Sequence, residues 1–143
     1  MHNLIFSIDD DKVTQMLNQM IFTRTAFAKK CLAFINGDEA IKYFQQLNEM
    51  DYTPDKIPAV IFLDLNMPII GGWEFLEKMQ DKFTYQFTGI KVVILSSSVN
   101  PDEKQLADDN PNVIAFLKKP LTLDMINELK HHPDLKGNFS GAG

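Results

Sequence analysis

Four places in this sequence put a chemically able side chain at the end of an apolar run. Asp9 and Asp10 follow Leu4-Ile5-Phe6-Ser7-Ile8, and Asp64 closes Ala59-Val60-Ile61-Phe62-Leu63. Ser96 follows Lys91-Val92-Val93-Ile94-Leu95, and Lys119 follows Val113-Ile114-Ala115-Phe116-Leu117 by one residue. Ending a buried strand on a charge is costly unless the charge lies at the mouth of a site and has partners. Three carboxylates in one shallow pocket would repel one another by several kcal/mol at an effective dielectric of about 20. A hard divalent cation resolves that conflict: Mg²⁺ takes oxygen ligands, keeps several waters, and suits a site with few carboxylates plus a phosphate. One carboxylate of such a set can also act as a nucleophile and form an aspartyl phosphate. An ammonium and a hydroxyl would then meet the charge of a transferring phosphoryl group, and Lys119 and Ser96 are candidates for those parts. The plainer reading of Asp9-Asp10-Asp11 is a solvated helix start, where acids suit the N-terminal dipole.

The elements that must position these groups are legible in order. The first strand covers residues 4–8. Val13, Met16, Leu17, Met20 and Ile21 then recur at helical spacing as one apolar face. A second strand, residues 31–35, is closed by Asn36-Gly37, with Asp38 able to cap a helix whose inward face holds Ile41, Phe44 and Leu47. Cys31 reads as a small buried hydrophobe. Residues 49–58 form a loop feeding the third strand. That strand is apolar throughout, as a strand buried on both faces requires, and Pro68 with Gly71-Gly72 forces a turn after it. Trp73, Leu76, Met79 and Phe83 make the next helical stripe. The fourth strand, residues 91–95, precedes Asn100-Pro101-Asp102-Glu103, a strong helix start. That fourth helix carries few apolar residues, Leu106 and Ala107, so it should be loosely held. The fifth strand, residues 113–117, leads to a last helix capped by Thr122, with Met125, Ile126 and Leu129 inward and Pro133 beyond. Five strands alternating with five helices predict an α/β doubly wound parallel sheet, because parallel neighbours need helical crossovers. Function in such sheets collects at the carboxyl ends of the strands, near the switch in strand order.

A chain of 143 residues is the size of one domain, here residues 1–135, with residues 136–143 expected as a flexible tail. A net charge of −5 without a basic stripe argues against a nucleic-acid surface. A single cysteine and no visible signal peptide suggest a cytoplasmic protein. The apolar runs fall far short of the ~20 residues of a membrane helix.

The ordered set Ile8-Asp9-Asp10-Asp11, Leu63-Asp64-Leu65-Asn66-Met67-Pro68 with Gly72, Ile94-Leu95-Ser96-Ser97 and Phe116-Leu117-Lys118-Lys119-Pro120 resembles the receiver domain of two-component response regulators over nearly the whole chain. The resemblance implies a flavodoxin-like sheet of order 2-1-3-4-5. It implies Asp64 as phosphoacceptor, and Asp9 and Asp10 at a Mg²⁺ (or Mn²⁺) ion, one bound directly and one through water. Asn66 would lend its backbone carbonyl to the metal, Ser96 the hydroxyl, and Lys119, the lysine directly before proline, the phosphoryl contact. Receivers commonly have a cis peptide at that Lys-Pro. Phe116 falls at the switch-aromatic position. Phosphorylation would draw Ser96 inward and let Phe116 fill the space, reshaping the face made by the fourth helix, fifth strand and fifth helix.

Ser96 stands where threonine is more frequent, and Ile69 and Ile70 put apolar surface beside Asp64, either exposed to a partner or tucked under the loop. So little chain follows Pro120 that a stand-alone, non-enzymatic switch is expected. It would be loaded by a sensor histidine kinase or histidine phosphotransfer protein and would signal to a protein target, with no role for nucleic acid or membrane. The rival reading is a receiver-fold interaction module that needs no phosphorylation. A flavodoxin-like cofactor binder is disfavoured, because three acids stand where a phosphate-cradling loop belongs. His2, His131 and His132 follow no strand, which speaks against hydrolytic catalysis.

Overall fold

The computed structural model describes residues 1–67, 69–98 and 100–139; Pro68, expected in the turn after the third strand, and tail residues 140–143 lie outside them. The strands are β1 (His2–Ile8), β2 (Ala28–Phe34), β3 (Val60–Asp64), β4 (Lys91–Ser96) and β5 (Val113–Lys118). The helices are α1 (Lys12–Arg24), α2 (Gly37–Asn48), α3 (Gly72–Lys82), α4 (Thr84–Phe87), α5 (Pro101–Asp109) and α6 (Leu123–Leu129). All strand pairs are parallel, in the order β2-β1-β3-β4-β5. The chain steps from β1 outward to β2, then returns across β1 to β3. The carboxyl ends of β1 and β3 therefore flank the point where winding reverses.

Alternation along the strands builds two cores. Phe6, Ile8, Ile61, Leu63, Val92 and Ile94 face a layer containing Phe44 of α2, Leu76 and Met79 of α3 and Phe87 of α4. Ile5, Val60, Phe62, Val93 and Leu95 face the other way, onto Phe22 of α1 and Ile126 and Leu129 of α6. Each fully buried side chain of this size contributes about 1.5–3 kcal/mol. Ile41, Phe44 and Leu47 are buried as expected, as are Leu76, Met79 and Phe83. Asn100 and Thr122 cap α5 and α6 by accepting from Asp102 N–H and Met125 N–H.

Several expectations need correction. The cap of α2 is Asn36, whose side chain accepts from Glu39 N–H; Asp38 lies inside the first turn and pairs with Lys42. The described residues hold six α-helices rather than five, because Thr84–Phe87 adds a short turn that buries Phe87. The face expected around the fourth and fifth helices is thus α5–β5–α6. The tail is engaged as far as Phe139. A 3₁₀ turn at Lys136–Asn138 brings Phe139 onto His2 and Phe27, with ring centroids at 5.0 and 5.4 Å.

The largest reversal concerns α1. Val13 and Met16 are 65% and 67% exposed, and Leu17 and Met20 are exposed too, while Gln15, Asn18 and Phe22 point inward. Periodicity finds the stripes of a helix but cannot orient them when the buried stripe is anchored by hydrogen bonds. Asp11 caps α1 by accepting from Val13 N–H at 2.9 Å. One turn later the Gln15 side chain is hydrogen-bonded to the ends of β1 and β2. With those anchors in place, Val13, Met16, Leu17 and Met20 turn to solvent, and only Ile21 of the stripe stays half-buried against the core.

Two outcomes follow. Met16→Gln should change unfolding free energy in urea by less than about 0.5 kcal/mol, whereas Phe22→Ala should cost about 3–5 kcal/mol. His2 is buried with both ring nitrogens unpartnered, and burial lowers its pKa to about 4. The folded state then binds fewer protons than the unfolded one between pH 6.5 and about 4, so stability falls as pH drops through that window. His2→Phe should remove that component of the acid sensitivity, read as the difference between the two urea-midpoint profiles.

Candidate functional site

The carboxyl edge of the sheet gathers the four chain positions. Asp64 is the last residue of β3, and Asp9 is the first beyond β1, its N–H donating to Phe34 O at 3.0 Å. Asp9, Asp10 and Asp64 offer carboxylate oxygens that all lie within 4.8 Å of one another. Lys119, one residue past β5, reaches back to them: its Nζ lies 2.7 Å from Asp9 Oδ2 and 3.3 Å from Asp64 Oδ2. Its own N–H donates to Ser96 O at 2.7 Å, tying the end of β4 to the same corner. The Lys119-Pro120 peptide is cis. Lys118 is exposed and takes no part.

The two buried acids are held differently. Asp9 has both oxygens engaged, Oδ1 by Asp11 N–H at 2.9 Å and Oδ2 by the ammonium. Asp64 Oδ1 accepts from Asn66 N–H at 3.1 Å, and its other oxygen has only the longer lysine contact. Asp10 is exposed. Burial raises the pKa of Asp64 and the Asp9 charge adds to the rise, outweighing Asn66 N–H and Lys119, which pull it down. For Lys119, burial works against the charge. The hydrogen bond to Asp9 and the charges of Asp64 and Asp9 overcome it, and its pKa is raised. The pocket therefore carries more negative charge than one ammonium satisfies. An all-oxygen donor set with surplus negative charge fits a hard divalent cation, so Mg²⁺ suits the residues present.

Neighbouring residues shape the rim. Ser96 is fully buried, and its Oγ donates to Ser98 O at 2.8 Å, turned into its own loop. Phe116 is half-buried against the layer that holds Ile94. The isoleucine pair splits: Ile70 is buried, while Ile69 is 81% exposed at φ 71°, a left-handed conformation that a β-branched residue rarely adopts. Gly72 lets α3 start directly against β3, since a Cβ there would meet Asp64 O and Leu65 Cα at 2.9 Å. One buried residue beside the acids, Gln15, escaped sequence reasoning. A single glutamine on a polar helical stripe carries no signal until its partners are known.

The family model of the response regulator receiver domain matches residues 5–130. Among solved structures, a two-component response regulator from Cytophaga hutchinsonii is 29% identical, with a TM-score of 0.79 over 90% of this chain and 93% of that one. A two-component response regulator from Legionella pneumophila is 26% identical at a TM-score of 0.71, covering 90% and 95% of the two chains. Among curated proteins, the probable methanogenesis regulatory protein FilR2 of Methanothrix harundinacea is 27% identical over 133 residues, 90% of this chain and 82% of that one. Among the described residues no helix is long and apolar enough to cross a membrane.

A carboxyl group whose folded pKa is raised binds its proton more tightly in the fold. Stability is therefore higher with Asp64 protonated, and declines as rising pH ionises it. Asp64→Asn should accordingly stabilise the metal-free protein at pH 7 by on the order of 1 kcal/mol, or about 2–4 °C in Tm. Calorimetry in the presence of a chelator checks this.

Proposed function

Because the chain belongs to the response regulator receiver domain family, we propose that it is a Mg²⁺-dependent phospho-accepting switch with Asp64 as the acceptor. The observation that carries this reading is the meeting of Asp9, Asp10 and Asp64 with the Lys119 ammonium at the switch point of the sheet. Asp64 Oδ2 attacks the phosphorus of a donor phosphohistidine. The P–N bond breaks, its electron pair stays on the imidazole nitrogen, and an acyl phosphate forms on Asp64. The choice of Asp64 over Asp9 is supported by their partners, since Asp9 is committed on both oxygens and Asp64 has the looser one.

Asp10, Asp64, the Asn66 carbonyl and, through water, Asp9 would hold the metal, which when bound supplies positive charge to the phosphoryl oxygens. Lys119 lies where it meets one of those oxygens as its contact to Asp64 is exchanged for one to the phosphoryl group. Ser96 leaves Ser98 O to donate to another, and Phe116 moves into the vacated volume. α5 has a thin apolar face, with Ala107 buried and Leu106 exposed, which supports a cheap rearrangement of α5–β5–α6 as the signal to a protein target. The exposed stripe Val13, Met16, Leu17 and Met20 begins two residues past the acids and offers apolar surface to a histidine kinase or histidine phosphotransfer protein bringing its phosphohistidine to Asp64.

Incubation with Mg²⁺ and a small acyl phosphate should add one phosphate to the intact mass of the wild type and none to Asp64→Asn. Lys119→Ala should slow the gain by roughly 10²–10³-fold, the scale for loss of one preorganised charge contact. No gain, or a gain that survives Asp64→Asn, overturns the reading and leaves a phosphorylation-independent interaction module in its place.

A further inference from the structure

Gln15 lies on α1, 8% exposed, with a side chain that makes four polar contacts. Its Oε1 accepts from Ser7 Oγ at 2.7 Å. Its Nε2 shares two N–H bonds among three carbonyls: Ser7 O at 2.9 Å, Asp9 O at 3.0 Å and Phe34 O at 3.1 Å. The carbonyls only accept, so they leave the carboxamide one orientation, nitrogen toward them, and the buried Ser7 hydroxyl then donates to the oxygen. The three acceptors sit at the carboxyl ends of β1 and β2, and one of them belongs to Asp9. Phe34 O also takes the Asp9 N–H at 3.0 Å, so the peptide groups on both sides of Asp9 are tied to the same corner. Asp10 follows immediately. Beyond it Asp11 returns its N–H to Asp9 Oδ1, which closes the loop.

We infer that Gln15 is a positioning residue for the acidic pair: its carboxamide fixes the Asp9 peptide, and through it the directions of the Asp9 and Asp10 carboxylates relative to Asp64. This rests on the metal-site reading above. Without the carboxamide, Ser7 O and Asp9 O each lose a side-chain donor, Phe34 O keeps only the Asp9 N–H, and the short acidic loop is free to relax under its own repulsion. The three carboxylates then meet the ion at a reorganisation cost the wild type has already met in folding.

The test uses Gln15→Met, which keeps the volume and removes the hydrogen bonds, and Phe22→Leu, which destabilises the same helix about two turns beyond Gln15. Mg²⁺ alone is titrated calorimetrically into each protein. Gln15→Met should bind about tenfold more weakly, and Phe22→Leu within about twofold of wild type. A second readout needs no metal: amide hydrogen exchange of Asp9 and Asp11 should accelerate at least about tenfold in Gln15→Met relative to β3 amides, and not in Phe22→Leu. Unchanged affinity in Gln15→Met beside normal wild-type binding, equal weakening in Phe22→Leu, or unchanged exchange at Asp9 and Asp11 overturns the inference. A wild type that takes up no Mg²⁺ overturns the metal site itself, while the exchange data still decide whether Gln15 holds the loop.

Discussion

The ammonium of Lys119, set between the carboxylates of Asp9 and Asp64, is the contact on which the carboxyl edge of this sheet depends. Two buried acids from adjacent strands would otherwise face one another with little solvent between them, and the low effective dielectric makes that repulsion large. The lysine comes from the opposite end of the chain, beyond β5. Its backbone is pinned to Ser96 O and so to the end of β4. Four strand ends are thereby held in one corner by a single residue, its ammonium on β1 and β3 and its backbone on β4 and β5. The balance is incomplete, because three carboxylates meet one ammonium, and that surplus negative charge is what a divalent cation would meet.

A parallel sheet makes this possible and also restricts it. Each strand of a doubly wound sheet points the same way, so every carboxyl end opens on one edge, and only reversal of the winding between β1 and β3 leaves a crevice there. Helices must therefore start just beyond the site, and close approach is needed at those starts. Gly72 provides it for α3, and Asp11 together with Gln15 provides it for α1. The exposed apolar stripe of α1 is the consequence on the outer surface. Once the inner face is committed to the strand ends, Met16 and Leu17 have nowhere to go but outward.

The same arrangement separates firm parts from compliant ones. β1, β3 and β4 are buried almost without exception and carry two cores. β5 is an edge strand of half-buried residues, and α5 beside it buries Ala107 alone. A change at Asp64 relayed through Ser96 and Lys119, as proposed, would arrive at the part of the molecule with the least packing to resist it.

By itself the sequence determined the strands, their parallel relation and the identity of the acids, hydroxyl and amine at their ends. Strand-sized apolar runs ending in charge admit few other foldings, since a buried charge demands partners. Pro101 after Asn100, and Thr122 three residues before Met125, marked helix starts because capping is local chemistry. Only the tertiary structure decided which stripe of α1 is buried, that Asn36 rather than Asp38 caps α2, that Ile69 and Ile70 part company, and that Phe139 docks on His2. The reason is common to all four. Each depends on a partner distant in the chain or on competition between near-equal local choices, and hydrophobic spacing is blind to a glutamine whose partners are backbone carbonyls.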